Sequence, residues 1–122
     1  MVRNALSTNI HTRLISVLVN KFVSEGYEVS ADHIGYPNGE PKEWKGYIPD
    51  IHAIKGTKEL FIEAETCDTL DNVETKLQWI TLSSKPDVEF SVIIPKNCLE
   101  EAKELAKKWN VEVKDFWSMK IE

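Results

Sequence analysis

Three carboxylates are spaced so that two neighbouring strands would bring them together: Asp50 after Pro49 and, beyond twelve intervening residues, Glu63 and Glu65 on either side of Ala64. The segment between them reads as two apolar-rich runs, residues 47–54 and 59–65, joined by Lys55-Gly56-Thr57-Lys58. Apolar runs around a Gly-containing turn signal a β-hairpin. Side chains alternate along a strand, so Glu63 and Glu65 share one face while Leu60, Ile62 and Ala64 share the other. Antiparallel pairing carries Asp50, near the start of the first strand, to the same end of the hairpin as the two glutamates. Converging carboxylates repel one another and lose solvation, which raises at least one pKa unless a cation compensates. Hard oxygen donors of this kind suit Mg²⁺ or Mn²⁺. The chemistry they point to is metal-dependent phosphodiester cleavage.

Other elements must position that hairpin. Ser7 or Thr8 caps a helix over residues 8–25, in which Ile10, Leu14, Val17, Leu18 and Phe22, with Ile15, recur at helical spacing before Gly26 stops it. Residues 27–34 alternate as a strand and lead into a loop rich in Gly and Pro, residues 35–46. After the hairpin, residues 66–84 read as a helix with Leu70, Val73, Leu77 and Ile80 inward and Lys76 at the edge. Trp79 and Leu82 fall roughly opposite, where they would mark a dimer interface. Residues 89–94 form a buried-type strand ended by Pro95. Asn97 and Glu100 then make a capping box for a helix that turns Leu99, Ala102, Leu105, Ala106 and Trp109 inward. Residues 111–117 close the chain as a last strand. The order is α-β-β-β-α-β-α-β: a three-stranded antiparallel meander, then a right-handed parallel crossover, in a mixed sheet. No internal repeat or low-complexity segment interrupts it.

On Pro49, Asp50, Glu63 and Glu65, and on this order of elements, the chain resembles the PD-(D/E)XK nuclease superfamily, which includes archaeal Holliday-junction resolvases, small Mrr-like endonucleases and many type II restriction enzymes. The resemblance implies an α/β, restriction-endonuclease-like αβββαβ core with a mixed central sheet and an additional C-terminal helix and strand. It implies a metal-dependent DNA endonuclease in which Asp50 and Glu63 bind Mg²⁺ or Mn²⁺. The third motif position, usually lysine, is Glu65 here, which leaves it as a further ligand or a general base. Lys76 would then supply a migrated cation. DNA ahead of RNA, and a homodimer, are the partners implied. A superfamily acid on the first helix has no counterpart except the distant Glu25, with Asn9 or His11 as substitutes. The alternative is a catalytically inactive nuclease-like module that binds nucleic acid or protein.

Length and composition bound these readings. A chain of 122 residues with 42% hydrophobic content supports one domain, residues 1–122. No apolar run approaches the ~20 residues of a membrane span, and no secretory leader is recognisable, so a cytoplasmic protein without a membrane partner is expected. Cys67 and Cys98 stand in no Cys-x-x-Cys or Cys/His spacing. They are expected as reduced thiols, Cys98 structural, with neither a zinc site nor a disulfide framework.

The net charge of −5 runs against the basic balance of many nucleic-acid binders. It is unevenly spread: Arg3, Arg13 and Lys21 meet no acid within residues 1–24, and the acidic cluster lies in residues 40–74. Those cations are either phosphate contacts beside a carboxylate pocket or ordinary solvated surface. His52 shares a strand face with Asp50 and is a candidate contact to metal or phosphate against the commoner structural role, with His11 and His33 weaker candidates. Lys55 and Lys58 belong to the far end of the hairpin. Tyr36, Trp44 and Tyr47, interleaved with Lys42 and Lys45, suit either a single-strand contact or the anchoring of a long loop.

Overall fold

In the computed structural model, which describes residues 4–121, the chain runs α1 (Ala5–Ser24), β1 (Glu28–Ala31), β2 (Ile51–Lys55), β3 (Lys58–Ala64), α2 (Val73–Leu82), β4 (Glu89–Pro95), a 3-10 turn (Lys96–Cys98), α3 (Leu99–Lys108) and β5 (Phe116–Met119). The five strands pair in sequence order. Gly56-Thr57 turns β2 into antiparallel β3, and the loop of residues 32–50 returns the chain from β1 to antiparallel β2, whereas the pairings β3–β4 and β4–β5 are parallel and are each bridged by a helix. The class is α/β with a mixed sheet.

Alternation along β3 divides its side chains between two cores. Leu60, Ile62 and Ala64 face α1, which packs Leu14, Ile15, Leu18, Val19 and Phe22 against them and against Val29, Ile51 and Ile93. Phe61 faces the other layer, where Trp79 and Leu82 of α2 and Ala102, Leu105 and Ala106 of α3 cover Phe90, Val92 and Ile94. Strands covered on both faces read as near-continuous apolar runs, as β4 does. Glu63, the penultimate residue of β3, is only 2% exposed.

Several elements depart from expectation, each for a local reason. Helix α1 starts earlier because Asn4, whose Oδ1 accepts the Ser7 amide at 2.8 Å, is its N-cap. Its buried stripe is Ser7, His11, Leu14, Ile15, Leu18, Val19 and Phe22, while Val17 is exposed. The stop at Gly26 holds, with φ +89°. Strand β1 ends at Ala31, and residues 32–35 turn. Helix α2 starts at Val73 behind the Asn72 cap, so Leu70 is not in helical phase with the residues that follow. Its inward face is therefore Thr75, Trp79 and Leu82, and Val73, Leu77 and Ile80 are exposed. Trp79 and Leu82 are fully buried and cannot form a dimer interface. The expected capping box does not form, because the turn Lys96–Cys98 places Cys98 at the N-cap of α3 without a side-chain hydrogen bond. Strand β5 begins at Phe116, and Val111 instead joins the α2–α3 core.

The expectation of reduced thiols is also corrected: Cys67 and Cys98 are disulfide-bonded, with Cα atoms 5.9 Å apart. Sequence spacing misses the pair because the parallel register of β3 and β4, with Ala64 opposite Ile93, brings the chain just past both strands to one place. Among the described residues no helix is long and apolar enough to cross a membrane.

Candidate functional site

The sheet register delivers the three carboxylates to one end. Ile51 pairs with Ile62, so Asp50, just ahead of β2, lies beside Glu63 and the end of β3. Glu65 follows the last residue of β3 and continues the ladder through its amide, which donates to Ile93 O at 3.0 Å. Asp50, Glu63, Ala64 and Glu65 line a cavity of about 160 Å³ together with His11, His33, Ile48, Glu74 and Gln78.

Each carboxylate is held by hydrogen bonds that cross between elements. The Asp50 amide donates to Glu63 Oε2 at 3.0 Å, and the Ala64 amide donates to Asp50 Oδ2 at 2.8 Å. His11 of α1 places Nε2 3.3 Å from Asp50 Oδ2, and His33 places Nε2 3.3 Å from Asp50 Oδ1. The two imidazoles meet edge to face, 5.1 Å between centroids. His33 holds φ +70°, a left-handed conformation that side chains other than glycine seldom adopt. Glu65 Oε1 is met by the hydroxyls of Thr69 at 3.1 Å and Thr75 at 3.4 Å. Ser7 extends this hydroxyl chain from α1, with Oγ 3.0 Å from Thr66 Oγ1.

These surroundings drive the two central acids in opposite directions. Burial pushes the Asp50 carboxyl up, yet hydrogen bonds with His11, His33 and Glu63, together with the charge of His11, outweigh it and hold the group well below the usual carboxylate range. Burial pushes Glu63 well up, and the charge of Asp50, its hydrogen bond, and the charge of Glu65 add to the rise. Without a metal, Asp50 is biased toward its anion and Glu63 toward its protonated form, as expected when carboxyls share a desolvated site.

Among the described residues no group of three or more His, Cys, Asp and Glu side chains is disposed to hold an ion. The cause is visible in the hydrogen bonds, since oxygens of Glu63 and Asp50 are turned onto each other's backbone neighbours and Glu65 onto threonine hydroxyls. By chemical type, the three carboxylates are the oxygen donors that a hard divalent cation takes. Three buried carboxylates that raise the proton affinity of one of their number offer the charge such an ion would neutralise.

Asp50, Glu63 and Glu65 are thus brought together, and Lys76 is not among them. It is exposed, outside the lining of the cavity, which α2 reaches through Glu74 and Gln78. His52 also lies elsewhere, its Nε2 2.7 Å from Glu59 Oε2 in an open cleft of about 640 Å³ against β1 and β2. The loop aromatics act as anchors: Tyr36 packs on the α1 core, and Trp44 and Tyr47 on the other. Arg13 is exposed, Lys21 pairs with Glu25, and Arg3 lies outside the described residues. Sequence reasoning undervalued His11 and His33 and missed the threonines. The available signal was the phase of α1, in which Ser7 and His11 sit on the stripe continued by Leu14, Ile15 and Leu18. Compared with known proteins, the chain matches no family model, no curated protein and no solved structure.

Proposed function

We propose that the protein is a metal-dependent DNA endonuclease of the PD-(D/E)XK type, with a restriction-endonuclease-like αβββαβ core carrying an additional helix and strand. The observation that carries this reading is the burial of Asp50, Glu63 and Glu65 at one end of the β2–β3 hairpin, where desolvation and the charges of Asp50 and Glu65 raise the Glu63 carboxyl well above its ordinary range. The element order and the change from antiparallel to parallel pairing after β3 agree with it.

Asp50, Glu63 and Glu65 would hold Mg²⁺ or Mn²⁺, which would polarise the scissile phosphate and lower the pKa of an attacking water. The protein's own groups do the rest. Backbone amides of Asp50 and Ala64 fix the carboxylates of Glu63 and Asp50. Glu65, steadied by Thr69 and Thr75, is the carboxylate available to accept a proton from the attacking water. His33, half exposed at the cavity mouth, borders the approach of a phosphate. Lys76 receives no step. Incubating the purified protein with Mn²⁺ and linear, single-stranded or four-way-junction DNA tests the reading. Cleavage that Asp50→Ala abolishes is expected; no cleavage of any substrate, or cleavage indifferent to that substitution, overturns it.

A second reading has its own observation. Glu65 stands where the superfamily usually has lysine, and no lysine borders the cavity among the described residues. A nuclease-like module that binds nucleic acid or protein without cutting follows from that, and DNA binding without cleavage in the same assay would identify it.

A further inference from the structure

The connection between β3 and α2, residues 66–72, supplies Thr69 as a partner of Glu65. Thr69 Oγ1 meets Glu65 Oε1 at 3.1 Å and Thr66 Oγ1 at 3.1 Å, and the Thr69 carbonyl accepts the Thr75 hydroxyl at 2.7 Å. On its other side the connection docks on α1 through Ser7, whose Oγ lies 3.0 Å from Thr66 Oγ1 and donates to Asp68 Oδ1 at 3.1 Å. Cys67 sits between those two docking residues and two positions beyond Glu65. Its bond to Cys98, 31 residues away in sequence, ties the connection covalently to the turn ahead of α3.

We infer that the Cys67–Cys98 disulfide is a reversible redox latch on the segment that positions Glu65, so that the thiol–disulfide balance of the surroundings sets the geometry of the carboxylate site. Access favours one sulfur. Cys67 is half-buried and borders a cavity of about 330 Å³ shared with Leu6, Ile10, Asp68 and Asn97, whereas Cys98 is buried. One thiolate of a dithiol reductant attacks Cys67 Sγ, forming a mixed disulfide and releasing Cys98 as a thiolate. The second thiolate of the reductant attacks its own sulfur in that mixed disulfide and releases Cys67. Two electrons pass to the protein, the two protons of the dithiol end on the cysteines, and the reductant leaves as its own disulfide. The segment then keeps its hydrogen bonds to α1, Glu65 and Thr75 and the packing of Leu70, without the covalent tie to the turn ahead of α3. This inference concerns the placement of Glu65 and stands whether or not the site cleaves phosphodiesters.

The test is made on the full chain, prepared without reductant and then treated with dithiothreitol. Alkylation and intact mass should count no reactive thiol before treatment and both cysteines after it. Backbone resonances of Glu65, Thr69 and Thr75 should shift on reduction while those of β1 stay in place. The Thr69 amide, bonded to Thr66 O at 3.1 Å, should exchange at least about tenfold faster. Cys67→Ser/Cys98→Ser should reproduce the reduced spectrum without reductant, and removing the dithiol in air should restore the oxidised one. Reactive thiols in the untreated protein overturn the latch. So do unchanged Glu65, Thr69 and Thr75 signals after complete reduction, and so does reduced protein that unfolds or fails to re-form the bond.

Discussion

Glu63→Gln probes the charge state at the centre of the site. In the folded chain burial, then the charges of Asp50 and Glu65, lift the Glu63 carboxyl well above its ordinary 4.5. The native state therefore holds a proton that the unfolded chain has released. Stability falls as pH rises from 4.5 through the native pKa, by about 1.4 kcal/mol per pH unit in that window. Below 4.5 both states are protonated and the group contributes nothing. Asp50 runs the other way: its native pKa lies below the ordinary 3.8, so its contribution is in place above 3.8 and is lost as pH falls through the native value. Glutamine copies the protonated form of Glu63. Its oxygen accepts the Asp50 amide as Glu63 Oε2 does at 3.0 Å, and its amide group donates where the carboxyl proton does. Urea unfolding in the presence of chelator, between about pH 5 and pH 8, should find the variant more stable than wild type. The gap should widen by about 1.4 kcal/mol per unit until native Glu63 ionises. A variant less stable than wild type by a constant amount across that range would refute the reasoning, since Glu63 would then be ionised and compensated within the fold.

Further outcomes follow from the same geometry. Asp50→Ala should reduce Mn²⁺ affinity by more than the roughly tenfold to hundredfold typical of losing an outer partner of a metal ligand, as read by calorimetry. Mn²⁺ at about a hundred times its dissociation constant should stabilise wild type by about 2.7 kcal/mol in thermal unfolding and leave Glu63→Gln largely unmoved. Trp79→Ala should cost about 3–5 kcal/mol in urea unfolding because the ring is fully buried between Phe90 and Trp109, whereas Leu77→Ala on the exposed face should stay within about 0.5 kcal/mol. Reduction of the disulfide, which spans 31 positions, should lower stability by about 3–4 kcal/mol in the chain-entropy picture.

The hairpin and its carboxylates were legible because their signals are local. A Gly turn, period-two alternation and fixed spacing decide which residues reach one end, and the register Ile51–Ile62 follows from them. The phase of α2 was not legible, because Leu70, Val73, Leu77 and Ile80 at helical spacing outweigh Trp79 and Leu82 until the Asn72 cap shows that the helix starts after Leu70. The disulfide and the two histidines were obscured for a different reason. Cys67 with Cys98, and His11 with Asp50 and His33, are joined by tertiary proximity across 31, 39 and 22 positions, which no local pattern encodes. The displacement of Lys76 from the site follows from the same shift of α2 that turned Thr75 inward and left its neighbour exposed.

The most direct test is an electron paramagnetic resonance titration of Mn²⁺ into chelator-treated protein. One bound ion per chain, lost in Asp50→Asn and weakened in Glu63→Gln, is the expected result for a site built from Asp50, Glu63 and Glu65. Mn²⁺ that remains free at about millimolar concentration, or binding that neither substitution alters, would contradict it.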